Sequence, residues 1–240
     1  MIIDYKNQEA ENQAVMAYLL KKINSNGQQL ADELGRKVNV MEVCGTHTVA
    51  FARSGITEMI SEFIDLRSGP GCPICVTHQN DLDRIFSLTN QQDVIIVTFG
   101  DLLRVPGSFT TLEREKARGG RVQICYSPLE AVELAAGTPQ AKIILIAIGF
   151  ETTAPVIASV IINAKARNLC NFWIYPVLKL VPPALKVLLQ NNLTLGLDGF
   201  ILPGHVSAIL GRDAFDFIGS YKIPAVVSGF EDLDLLYGLN

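Results

Sequence analysis

Val94-Ile95-Ile96-Val97 and Ile143-Ile144-Leu145-Ile146 are apolar at every position. A strand with one wet face alternates apolar and polar residues, so runs without alternation belong to parallel strands covered by helices on both sides. Working outward, residues 38–43, 64–67, 94–99 and 122–126 read as four strands, and residues 143–148, 172–177, 200–202 and 225–227 as four more. Spacers of helical length separate them, which is the alternation of an α/β protein. Residues 8–34 read as a leading helix, with Val15, Leu19, Leu20 and Ile23 on one face and Gly27 and Gly35 as its breakers. The string predicts an α/β fold of two similar Rossmann-like parallel-sheet halves facing a cleft, with an N-terminal helix. The expected domains are residues 1–135 and 136–240, one continuous eight-stranded sheet being the other solution for the same string.

The chain has 240 residues, 49% of them hydrophobic, and a formal net charge of −4. That length supports sizeable cores, and the lack of a basic cluster argues against nucleic acid or anionic membrane as a partner. The opening Met-Ile-Ile-Asp-Tyr-Lys has no basic region leading into an apolar stretch, and no apolar run reaches the length of a membrane span. Five cysteines, an odd number, argue for a cytoplasmic protein that uses thiols chemically and against a secreted disulfide framework.

Unusual residues collect after the strands. Cys44-Gly-Thr-His-Thr48 follows the first, Gly69-Pro-Gly-Cys-Pro-Ile-Cys75 the second and Phe99-Gly-Asp-Leu-Leu-Arg-Val-Pro-Gly107 the third. Gly149-Phe-Glu-Thr-Thr-Ala-Pro155, Pro203-Gly-His-Val-Ser207 and Ser228-Gly-Phe-Glu231 follow the fifth, seventh and eighth. Ligands of parallel α/β folds bind outside the carboxyl ends of the strands, where these loops fall. Cys72 and Cys75 sit in a loop stiffened by Pro70 and Pro73, and a helix starting directly behind them would favour thiolate over thiol. Cys44 and His47, with Cys72 and Cys75, also make a permissible structural zinc set of three sulfurs and an imidazole.

Thr152 or Thr153 is a plausible helix cap, ahead of a buried face of Val156, Val160 and Ala164, and this leaves Glu151 as a carboxylate without structural duty. His205 is either a donor into the cleft or a helix-start hydrogen bond. Asp101 and Arg104 are expected to pair, Cys125 and Cys170 to be structural thiols, and His78 to lie on the surface in the first helical turn after the thiol loop.

Five segments in register, Met41-Glu-Val-Cys-Gly-Thr-His-Thr48, Gly69-Pro-Gly-Cys-Pro-Ile-Cys75, Gly149-Phe-Glu-Thr-Thr-Ala-Pro155, Pro203-Gly-His-Val-Ser207 and Gly229-Phe-Glu231, resemble the motifs of the hydrogenase maturation factor HypD family. The resemblance runs over residues 38–236. It implies a scaffold, not a turnover enzyme, on which the Fe(CN)2CO unit of [NiFe]-hydrogenase is assembled. The implied partners are a small maturation chaperone of the HypC type and a cyanide-donating protein of the HypE type. Carried over by motif, Cys44 is the iron-site cysteine, with His47 beside it. Cys72 and Cys75 are the redox pair, and Glu151 and His205 join the reacting groups. Thr46, Thr48, Gly69 and Gly71 are the loop positions expected to contact the iron unit. The family also implies a [4Fe-4S] cluster in a third domain, whose ligands do not occur in these residues. Two readings from other classes remain beside it, a thiol-disulfide oxidoreductase built on Cys72-Pro-Ile-Cys75 and an α/β protein with the structural zinc.

Overall fold

The computed structural model describes residues 5–190 and 195–240. It is α/β and has eight strands among the described residues: β1 Val38–Glu42, β2 Ile64–Ser68, β3 Val94–Thr98, β4 Val122–Ile124, β5 Lys142–Gly149, β6 Phe172–Leu178, β7 Gly199–Pro203 and β8 Ala225–Ser228. They form two four-stranded sheets, in the orders β2-β1-β7-β8 and β4-β3-β5-β6, and every pairing is parallel.

The strands are shared out differently from the sequence expectation. The first unit comprises residues 1–72 and 181–240, and the second comprises residues 73–180. The predicted division between residues 135 and 136 is therefore corrected: it would part β3 from β5, which pair from Val94↔Lys142 to Val97↔Leu145. It would also part β1 from β7, which pair from Val40↔Gly199 to Glu42↔Ile201. Apolar runs say that a strand is covered but not which strand lies beside it, so an insertion of one unit into another leaves no trace in periodicity.

In the second unit the doubly apolar strands serve two cores. Ile95, Val97, Ile143, Leu145 and Ala147 point to one side, toward α6 (Leu129–Gly137) and α7 (Ala154–Ala166). Val94, Ile96, Ile146 and Ile148 point to the other, toward α4 (Gln79–Ser87) and α5 (Leu112–Ala117). Successive side chains of a strand face opposite ways, so each run of consecutive aliphatics fills both layers.

In the first unit one face of the sheet is covered by α1 (Tyr5–Leu34), α2 (Gly45–Ser54), α3 (Ile56–Ile60) and the last helix, α10 (Asp232–Leu239). Leu19, Ile23, Phe51, Ile60, Ile64, Ile201, Leu235 and Leu236 make that core. Gly27 does not break α1. It lies inside the helix, where a Cβ would come within 3.2 Å of the Ile64 side chain, so its smallness lets the helix approach β2. The first unit also contains α8 (Val181–Gln190) and α9 (Gly204–Leu210). Among the described residues, no helix is long and apolar enough to cross a membrane.

Four local expectations change. Helix α4 begins at Gln79, with exposed His78 as its N-cap accepting the Asn80 N–H at 3.1 Å, so the thiol loop is not at a helix start. Thr153 occupies the N-cap of α7 without a side-chain bond, and the buried face runs through Ile157, Val160 and Ala164, leaving Val156 exposed. Arg104 pairs with Glu113 at 3.5 Å, not with Asp101. Cys125 is buried, as expected, and burial with the nearby Glu130 charge pushes its thiol up to about 11, whereas Cys170 is exposed.

Candidate functional site

In the first sheet the chain passes from β1 to β2 on one side, and β7 then lies on the other side of β1. That is a topological switch point, and the crevice outside the carboxyl ends of the two diverging strands is where such sheets place ligands. Cys44 follows β1 in extended conformation (φ −128°, ψ 130°) and is the N-cap residue of α2. His205 stands in the first turn of α9, directly behind β7. Residues 161 apart in sequence therefore meet: Cys44 Sγ lies 3.9 Å from His205 Nε2. Cys44 is only 6% exposed, so this is a buried thiol beside an imidazole.

His47, one turn into α2, is fully buried. Its Nε2–H donates to the Gly229 carbonyl at 2.9 Å. In the neutral ring this leaves Nδ1 as an acceptor, and that atom is buried without a hydrogen-bond partner. Burial holds the imidazole below its ordinary value of 6.5, and the His205 charge adds to the lowering, against hydrogen bonds to the Gly229 and Ser228 backbone. His47 is thus neutral near pH 7. Phe230 packs against both imidazoles, with ring centroids 4.6 Å from His47 and 5.2 Å from His205. Glu231 behind it has a structural duty, closing a capping box with Asp234 at the start of α10.

The thiol loop is pinned to the same edge. Gly69 N–H donates to the Glu42 carbonyl at 2.8 Å, and Gly45 N–H donates to the Gly71 carbonyl at 3.2 Å. A Cβ on Gly71 would lie 2.7 Å from Cys44 Cα and 2.6 Å from its carbonyl carbon, so only glycine fits where the loop crosses Cys44. Ser68 Oγ donates to Glu42 Oε1 at 3.0 Å, and the Thr48 hydroxyl, 3.3 Å away, donates in turn to Ser68. The second Glu42 oxygen is buried without a hydrogen-bond partner. Thr46 is exposed in the first turn of α2, Cys72 is half-buried and Cys75 is exposed.

The geometry corrects the zinc alternative. Cys44 faces His205, His47 is engaged by the Gly229 carbonyl, and among the described residues no group of three or more His, Cys, Asp or Glu side chains is gathered as a metal cage. Glu151 belongs to the second unit, buried at the carboxyl end of β5. Sequence reasoning named Cys44, His47 and His205 but not Phe230 or Glu42. A carboxylate inside the strand run Val38 to Val43, whose other polar residue is Asn39, was the available signal for Glu42, and the aromatic residue of Gly-Phe-Glu was the signal for Phe230.

Fold and site together define a class: a double parallel-sheet α/β protein with a thiol–imidazole pair at the switch point of one sheet and a glycine turn, Gly69 to Gly71, crossing its cysteine. Residues 14–240 match the HypD family model, described as the hydrogenase formation hypA family. The chain is 40% identical over 222 residues to the hydrogenase maturation factor HypD of Escherichia coli K12, covering 92% of this chain and 59% of that protein. It is 41% identical over 213 residues to HypD of Rhodobacter capsulatus (87% and 56%). It is 38% identical over 222 residues to a putative hydrogenase expression/formation protein of Methanocaldococcus jannaschii (92% and 61%). The chain belongs to the HypD family, and it spans about three-fifths of the length of these relatives.

Proposed function

We propose that the chain acts in hydrogenase maturation, as a scaffold on which the Fe(CN)2CO unit is assembled before transfer. The iron unit is cargo, so a suitable site offers few permanent ligands and leaves positions open for diatomic groups. The observation that carries the reading is the Cys44–His205 pair: one buried thiol, one imidazole at 3.9 Å, and no closed ligand cage among the described residues. A thiolate is the soft donor that low-valent iron prefers, and Cys44 is the residue that holds it. His205 holds or releases a proton beside that sulfur. His47, neutral and fixed by Gly229, supplies a bare Nδ1 to a donor entering the site. Thr46, Thr48, Gly69 and Gly71 shape the approach, while Cys72 and Cys75 exchange electrons as a dithiol.

The partners under this reading are the small chaperone and the cyanide donor, in the cytoplasm, with the family's [4Fe-4S] cluster supplied by polypeptide beyond these residues. The test is anaerobic co-purification with the chaperone followed by infrared spectroscopy. Cyanide and carbonyl stretches that vanish in Cys44→Ala support the reading. A chaperone complex that forms but holds no iron in the wild-type chain, together with fast reduction of generic disulfide substrates, favours the thiol-disulfide oxidoreductase.

A further inference from the structure

We propose that Cys44 and Cys72 form a reversible disulfide that masks the Cys44 sulfur. The inference rests on the proposed role of Cys44 for its consequence, and on backbone geometry for its chemistry. The peptide joining Cys44 to Gly45 donates its N–H to the carbonyl of the peptide joining Gly71 to Cys72, at 3.2 Å. Two segments joined by such a bond bring their flanking Cα atoms to about 5 Å, and one further residue of chain adds at most ~3.8 Å. Cys72 Cα is therefore within roughly 9 Å of Cys44 Cα, a range that includes the ~4.4–6.8 Å span of disulfides.

The approach is held in place. The turn closes through Gly71 N–H to the Gly69 carbonyl at 2.7 Å, and its base is bonded to Glu42 by Gly69 N–H at 2.8 Å and by Ser68 Oγ at 3.0 Å. Gly71 permits the contact because a Cβ there would overlap the Cys44 backbone. All five cysteines are thiols in this structure.

Access is graded, which sets the order of events. The half-buried Cys72 thiolate attacks a small disulfide such as oxidised glutathione, forming a mixed disulfide and releasing one glutathione thiolate. The buried Cys44 thiolate then attacks the Cys72 sulfur, a Cys44–Cys72 bond forms, and the second glutathione leaves as thiolate. Two thiols lose two electrons and two protons, and one glutathione disulfide becomes two thiols. In the linked state the Cys44 sulfur is a neutral disulfide sulfur and no longer the thiolate donor that iron needs, so loading follows reduction. The Cys72-Pro-Ile-Cys75 pair competes for the same Cys72 sulfur.

The test is peptide mapping by mass spectrometry of the full chain, oxidised with oxidised glutathione and alkylated without reduction. The expected result is a Cys44–Cys72 peptide pair in the wild type, rising to near-complete yield in Cys75→Ser. In Gly71→Ala that pair is lost while the Cys72–Cys75 link persists. A Cys75→Ser chain with glutathione on Cys72 and alkylated Cys44 overturns the inference, as does an undiminished Cys44–Cys72 link in Gly71→Ala. The two readings fail separately. A wild-type chain showing only Cys72–Cys75, with no internal link in Cys75→Ser, sinks this inference and leaves the redox pair. One showing only Cys44–Cys72 sinks the redox pair and leaves this inference.

Discussion

The two sheets are built to one plan and equipped differently. Each begins with a strand that pairs with its successor on one side and with a later strand on the other, β1 between β2 and β7, β3 between β4 and β5. Each therefore has a switch point. In the first unit α2 starts at once after β1, so Cys44 becomes a helix N-cap facing His205 behind β7. In the second unit β3 runs into a 3-10 turn, Gly100–Arg104, and the β5 end carries Gly149, Glu151 and Thr153. Gly149 lies so close to the Thr153 side chain that a Cβ would overlap it, which makes that turn a tight strand-to-helix connection. Identical topology thus supplies a thiol–imidazole pair in one unit and a carboxylate with hydroxyls in the other. The sheet sets where chemistry goes, and the first residues after the strands set which chemistry it is.

Burial divides central strands from edge strands. Every residue of β3 is buried, whereas Ala225, Val226 and Val227 of β8, at the edge of the first sheet, are exposed. The largest expected effect tests that contrast. Leu145→Ala in β5, fully buried, should cost about 2–5 kcal/mol in denaturant unfolding, while Val227→Ala in β8 should cost less than about 1 kcal/mol. Equal costs would mean that β8 is covered in the protein in solution.

Next in size is His47→Ala, which removes the donor to Gly229 and the ring packed on Phe230 and should cost about 1–3 kcal/mol at neutral pH. Because burial lowers the folded-state value of His47, the unfolded chain binds the proton more readily. The stabilisation is present above the ordinary 6.5 and is lost as pH falls through the folded value. Stability curves of wild type and variant should therefore converge toward acid, and parallel curves would show that His47 does not titrate on unfolding.

The smallest effect concerns the ion pair at the opposite ends of β1 and β7. Arg36 reaches Asp198 through two bonds of 2.6 and 2.8 Å, and Asn39 N–H adds a third at 2.8 Å. Burial raises the Asp198 carboxyl, but these bonds more than offset it and hold it below the usual carboxylate value of 3.8. Its stabilisation is present above that value and lost as pH falls through the folded one. Arg36→Ala should give only a small change in the unfolding midpoint, one that added salt erases, since the arginine is half in solvent.

Much of this architecture could be read from residues. All eight strands stand close to where the sequence placed them, and for β3 and β5 the reason is burial on two faces, which leaves a run without alternation. Their partners were not legible, since pairing depends on contacts between residues such as Val40 and Gly199 that periodicity does not encode. Cys44, His47 and His205 were visible as unusual residues at strand ends. Their division of labour was not: the C-x-x-H spacing suggested a Cys44–His47 pair, and the fold gives Cys44 to His205 and His47 to a carbonyl. The helix start expected behind Cys75 lies four residues later, because His78 provides the cap that the loop itself lacks.

If the switch point of the first sheet is the iron site, as proposed, Cys44 holds the cargo without holding the fold. The most direct measurement is iron content of the anaerobically purified chaperone complex, taken with thermal unfolding of the chain, for wild type and Cys44→Ala. The variant is expected to lose the iron while its stability changes by no more than about 1 kcal/mol, the scale of trimming one small buried side chain. Iron retained at the wild-type level in Cys44→Ala, or a metal lost together with collapse of the fold, would contradict the proposal.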